Sequence, residues 1–415
     1  MIEREDSDRP DWLTDDDPWP TERGDRKRDH SLRHELSTAD DPLPLPTMTD
    51  RQKLESLARC MIAGNAMRRY REDGEDGRVS YSRRTNWYAE HPSRFYWPKC
   101  FTHAYIIAAV AQLENAGMII HDQKKPGNRH WQSWFRATEQ LMNFKTELQY
   151  KPVHKIILRD ENKIDISYND KSRFILKMIR NLDEVNEYLA KQTITLSGKV
   201  LREGDPLYVG LHCVSGATRI RLRRIFSNRS FYQNGRYQND VQNIPRQGRL
   251  WMTLNGHYVA AHDYSAFYPG LLYALVGVPC DGDPYTIPDV PREISKPILN
   301  IVINAKNETK ALRAAAQDLW KRRVSGRQRE RYAMAKKIVA ALKEKNRPIA
   351  HYFHSNVGVH LMSHESRLLE YNMRDLMRLQ IPFLPLHDAL LVPEHKGIIN
   401  NESARSWLCG IRVSS

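Results

Sequence analysis

The sequence predicts an α+β chain, and three observations lead there. Apolar, strand-like segments at 257–266 and 381–393 stand far apart in the chain. Between them, apolar residues recur at helical spacing over long stretches. Nearer the N-terminus, two helical segments precede a short strand, a basic loop and a second strand. At 415 residues there is room for two or three domains, and 40% hydrophobic residues can fill their cores.

Residues 1–46 are charged, proline-studded and poor in aliphatics, which predicts a disordered arm. A helix is expected from Thr49, an N-cap residue, with Leu54, Leu57 and Ile62 on one face. "FTHAYIIAAVAQLENAG" predicts a second helix, with Ile106, Val110 and Leu113 at helical spacing and Gly117 at its C-terminal end. "MII", the loop "HDQKKPGNRHW" and "QSWFRATEQLMNF" then follow. Helices followed by a hairpin with a basic tip resemble the winged helix-turn-helix domains of replication initiators and transcription regulators. The resemblance implies that 47–148 binds DNA, with Arg83, Arg84, Lys124, Lys125 and Arg129 on its phosphates. A helical packing module with solvated charges fits the same residues. From 149 to 230, "HKIILRDENKIDISY" predicts a β-hairpin and "SRFILKMIRNLDEVNEYLAKQ" an amphipathic helix, together a thumb-like or connecting region.

The net charge of +14 points to a polyanionic partner, nucleic acid before membrane. Five scattered cysteines with no CxxC spacing suit a reducing cytoplasm. No apolar run approaches the roughly 20 residues of a membrane span.

Asp263 poses a specific question, because it ends a strand that reads as buried, where a lone carboxylate is costly. Three further segments accompany it in order. "NGRYQNDVQNIPRQGR" precedes it, "REISKPILNIVIN" follows it, and "IPFLPLHDALLVP" comes last. These segments resemble the family A DNA polymerases and their relatives, the single-subunit phage RNA polymerases. Gly235-Arg236 with Gln242 to Pro245 is similar to the family's TGR…QNIP segment. Asp263-Tyr264-Ser265 is similar to motif A, Arg292 and Lys296 to motif B, and His387-Asp388 to motif C. The resemblance covers about 225–395 and implies a reduced right-hand polymerase at 231–415, with an antiparallel palm and small helical fingers.

The chemistry fits these residue types. Nucleotidyl transfer develops charge on an attacking and a leaving oxygen, and two Mg²⁺ ions can stabilise both. Mg²⁺ takes hard oxygen ligands, so Asp263 would work with Asp388 through metal, with Mn²⁺ as a substitute ion. The resemblance adds the main chain of Tyr264 as a ligand, and Asn300 and Asn304 at the nucleotide-facing motif B positions. Arg292 and Lys296, at i and i+4, share a helix face suited to a triphosphate. Arg236, Gln242, Asn243 and His387 carry over as primer or template contacts, and hydrogen bonds to minor-groove acceptors would make them sequence-independent.

Several features depart from the family. Ala389 stands where the DNA polymerases have a glutamate, as in the RNA polymerases of the group. Pro297 should kink the motif B helix or shift its start. Tyr268 occupies the slot of a side chain that crowds the ribose 2′ position, and reads as a steric gate favouring deoxynucleotides or as a core tyrosine. The basic helical stretch 306–346 lines a nucleic-acid channel or is a solvated face, and His351, His354, His360 and His364 read as packing or template-side residues. No acidic motifs for a proofreading exonuclease are evident. The expected function is template-directed DNA synthesis from nucleoside triphosphates. RNA synthesis or priming, and a DNA-binding initiator with a silent palm, are the alternatives.

Overall fold

A computed structural model describes residues 31–123, 132–209, 212–245, 248–262, 266–386 and 389–394. Strand β1 (Leu36–Thr38) lies within the segment expected as a disordered arm, yet all three residues are buried. Leu36 is drawn into an apolar cluster, and β1 pairs with residues 148–150. Helix α1 (Asp50–Asp73) starts where expected: Thr49 Oγ1 accepts from Gln52 N at 3.3 Å, and Gln52 Oε1 accepts from Thr49 N at 2.9 Å. Its face differs from expectation, because Leu57 is exposed while 58–69 are buried continuously. β1, a later helix and a later strand all pack on α1, so no single apolar stripe is required.

After α1 come β2 (Val79–Tyr81), α2 (Thr85–Glu90), α3 (His103–Asn115), β3 (Ile119–Asp122) and β4 (Ser133–Ala137). The three strands form an antiparallel sheet in the order β2-β4-β3. Ile62 of α1, Ile106 and Val110 of α3 and Phe135 of β4 fill its core. The short helix α4 (Glu139–Met142) and β5 (Leu148–Tyr150) lead out of it.

Strand β6 (Ile156–Leu158) begins the segment expected as a hairpin, but the return arm makes only the bridge Arg159↔Asp165. Helix α5 (Arg173–Ala190) follows, capped by Ser172. Then come β7 (Ile194–Leu196), β8 (Lys199–Val200), β9 (Leu207–Val209), β10 (His212–Ser215), β11 (Arg223–Ser227), β12 (Ser230–Gln238), β13 (Met252–Leu254) and β14 (His257–His262). β6 pairs in parallel with β11, whose other edge takes β12 antiparallel.

Helices α6 (Phe267–Leu275), α7 (Arg292–Asn304), α8 (Glu308–Lys321) and α9 (Gln328–Lys345) enclose a separate apolar cluster that includes Leu299, Ala315 and Ile338. Helix α10 (Gly358–Arg378) returns the chain to the sheet, ending in β15 (Leu384–Leu386) and β16 (Ala389–Pro393). The resulting six-stranded sheet is antiparallel throughout, in the order β15-β16-β14-β13-β7-β8.

The α+β class is therefore observed. Leu182 and Val185 of α5 and Ile194 of β7 share one core with Met373 of α10 and Leu390 of β16. Among the described residues, no helix is long and apolar enough to cross a membrane.

Candidate active site

The two strands expected to carry the carboxylates are neighbours. In the β14–β16 ladder Ala261 lies opposite Leu391 and His262 opposite Leu390, and Leu386 of β15 lies opposite Ala389. β16 is buried along its whole length. Asp263, Tyr264, Ser265, His387 and Asp388 lie outside the described residues. Among the described residues no group of three His, Cys, Asp or Glu side chains could hold a metal.

Five residues beyond Asp263 in the chain, Tyr268 meets Arg236 of β12. Asn234 and Gly235 both have positive φ, 64° and 80°, and the β11–β12 register shifts there. The bulge needs glycine twice over, since a Cβ on Gly235 would also lie 2.7 Å from the Phe226 ring. It turns Arg236 onto Glu365 of α10: Nε donates to Oε1 and Nη2 to Oε2, each at 2.7 Å. Tyr268 of α6 closes the triangle. Its hydroxyl donates to Glu365 Oε2 at 2.7 Å and accepts from Arg236 Nη2 at 2.8 Å. The Glu365 side chain is only 2% exposed, whereas that of Arg236 is 24% exposed.

Glu365 was missed by sequence reasoning, yet it left a signal. On α10 it takes the helical position between Leu361 and Leu369, both buried. A carboxylate in a core-facing stripe has to be paired. Five residues on, Glu370 repeats the device, accepting from Arg224 Nη1 at 2.9 Å and Tyr237 Oη at 2.8 Å.

Arg292 and Lys296 fall on one face of α7, as expected, and both cations lie over the Tyr285 ring, at 5.1 Å and 5.8 Å. The helix runs from Arg292 through Pro297 without a shifted start. Both side chains are exposed. Arg292 Nε donates to Asp283 Oδ2 at 2.5 Å. Burial raises the Asp283 pKa, but this bond and the adjacent charge outweigh it and hold the carboxyl below its ordinary range. The same bond raises the pKa of Arg292.

Asn304 donates to the Asn300 carbonyl at 2.7 Å, and its amide fits against Gly358, where a Cβ would lie 1.6 Å from Oδ1. That fit makes Asn304 a joint between α7 and α10. Gln242 is 5% exposed and donates to Tyr237 O at 3.0 Å and Pro385 O at 3.4 Å. It thus ties the 240–243 turn to β15, while its neighbour Asn243 is exposed.

Arg84 is exposed, and Arg83 is half-buried with Nη1 on Tyr81 Oη at 3.2 Å. Lys124, Lys125 and Arg129 lie outside the described residues. α3 contains no lysine or arginine. On α8 and α9, Lys310, Arg313, Arg329, Lys336 and Lys337 are all exposed.

No protein-family model, no curated protein and no solved structure matches this chain.

Proposed function

We propose that this chain is a template-directed nucleotidyltransferase, a small DNA polymerase in which Asp263 and Asp388 serve one metal site. The observation that carries the reading is the in-register pairing of β14 with β16. Chain connectivity tethers Asp263 to His262 and Asp388 to Ala389, at the ends of adjacent strands. Consecutive Cα atoms are about 3.8 Å apart, so the tethers are short. A pair of hard carboxylate donors suits Mg²⁺, which when bound supplies charge stabilisation to the attacking and leaving oxygens.

The chain's own side chains have separable tasks on this reading. Arg292 and Lys296 bind the triphosphate, with the Asp283 carboxylate marking where an anion meets the guanidinium. Tyr268, held by Arg236 and Glu365, presents a fixed ring to the sugar. Asn243 faces solvent and can meet the minor groove, while Gln242 holds β15 in place. The order α1-β2-α2-α3-β3-β4, with sheet order β2-β4-β3, supports a winged-helix unit as the duplex-binding module. The six-stranded sheet of β7, β8 and β13 to β16 would be the palm, and α6 to α9 the fingers.

A purified chain given a primed template, Mg²⁺ and either deoxynucleotides or ribonucleotides is expected to extend the primer from the deoxynucleotide pool. Extension from ribonucleotides alone would favour RNA synthesis, the reading Ala389 supports. No extension from either pool, primed or unprimed, would favour a DNA-binding initiator without catalysis. Tyr268→Ala is expected to raise ribonucleotide incorporation relative to deoxynucleotide by roughly tenfold, because a hydroxyl-sized space opens at the ring. An unchanged ratio would make Tyr268 a packing residue.

A further inference from the structure

Two aromatic rings stand largely open on the surface, although Phe174 also meets Phe231 edge-on at 6.0 Å. Phe174 of α5 is 45% exposed and Tyr232 of β12 is 62% exposed. Their rings stack, with centroids 6.2 Å apart and planes 27° apart. Arg367 of α10 lies 5.6 Å over the Tyr232 ring. One residue along β12, Gln233 meets His360 at 3.3 Å, and three further on is Arg236, which holds Glu365.

On the α5 and α10 flanks of the rings the exposed charge has a single sign. The exposed positions of α10 on this side are His360, His364, Arg367 and Tyr371. On the first three turns of α5 they are Arg173, Phe174, Leu176, Lys177 and Arg180. No carboxylate is exposed among them. The first exposed acid along α5 is Glu184, and it is paired with Arg374 at 2.7 Å. Burial lowers the pKa of His364, and Arg367 and His360 beside it lower it further, as expected where cations crowd. The α10 stripe from His360 to Tyr371 spans about 16 Å, room for roughly four or five stacked bases.

We propose that this face binds single-stranded DNA, with bases stacking on Phe174 and Tyr232 and phosphates meeting Arg367 and Lys177. Flat exposed rings set among cations are the arrangement that holds unpaired bases. Duplex DNA hides its base faces in its own stack and gains nothing from the rings. An acidic protein surface would use the cations but not the planarity. The proposal rests on the nucleic-acid part of the function proposed above, and not on catalysis.

The test is fluorescence anisotropy of a labelled oligo-dT of about ten nucleotides and of a blunt duplex of equal length. In the Phe174→Ala/Tyr232→Ala variant the Kd for oligo-dT is expected to rise roughly tenfold or more. Duplex affinity should stay within about twofold. Both side chains are exposed, so the core remains intact. Tyr232→Phe should retain wild-type affinity, whereas Tyr232→Leu should not, since a flat ring is required. Arg367→Gln should weaken binding and reduce its salt dependence. Unchanged oligo-dT binding in the double variant, or equal binding by Tyr232→Leu and Tyr232→Phe, would overturn the proposal. A wild type that extends primers while the double variant binds oligo-dT normally loses only this surface. A wild type that binds through the rings but extends nothing loses only the polymerase.

Discussion

Asp263→Ala and Asp388→Ala are each expected to reduce primer extension by roughly a thousandfold or more. Metal stabilisation of the developing charge is worth several kcal/mol, and each 1.36 kcal/mol is a factor of ten in rate. Both carboxylates would serve the same two ions, so either substitution dismantles the site. The Asp263→Ala/Asp388→Ala double variant should therefore be little worse than either single one, because residues acting as a unit are not additive. Single-turnover extension under saturating nucleotide measures this. Multiplicative losses would mean that the two residues act independently, and the β14–β16 pairing would lose its functional meaning.

Glu365→Ala is expected to cost about 3 kcal/mol of stability. The carboxylate sits in the α10 core stripe and accepts three of the four hydrogen bonds of the Arg236–Glu365–Tyr268 triangle. Removing it leaves the Arg236 guanidinium and the Tyr268 hydroxyl without that acceptor. Truncating one partner of such a pair costs far more than the pair contributes net. Arg236 is 24% exposed, so water recovers some of the loss. Adding Arg236→Ala to Glu365→Ala should then restore part of the stability, which a urea-unfolding cycle on the single and double variants measures. Simple additivity would mean the two side chains do not act as a buried pair. Glu365→Ala should also loosen sugar discrimination, since Tyr268 loses its acceptor.

Much of this layout was legible in the sequence, for physical reasons that differ by element. Thr49 with Gln52 is a capping box and announces α1 locally. Arg292 and Lys296 needed only helical spacing to share a face, and the structure puts both over Tyr285. Asn234-Gly235 signals a left-handed turn, but not that the bulge would aim Arg236 at α10.

What could not be read depended on contacts distant in the chain. Leu36 looked like part of a polar arm because the other buried members of its cluster, from Ala58 onward, lie more than twenty residues away. Gln242 resembled a nucleic-acid contact, and only the proximity of Pro385 shows its two main-chain bonds. The region around α5 looked like a connection, since its apolar face meets partners from α10 and β16 that come late in the chain. Glu365 was visible as a charge in an apolar stripe, while the identity of its partners was not.

The most direct measurement of the central claim is which nucleotide is added opposite each template base. Four primed templates, differing only in the first unpaired base, are each offered the four deoxynucleotides singly with Mg²⁺. The wild type is expected to add the complementary nucleotide in every case, and Asp388→Ala to add almost none. Addition that ignores the template base, or correct addition that persists in Asp388→Ala, would contradict template-directed transfer at this site.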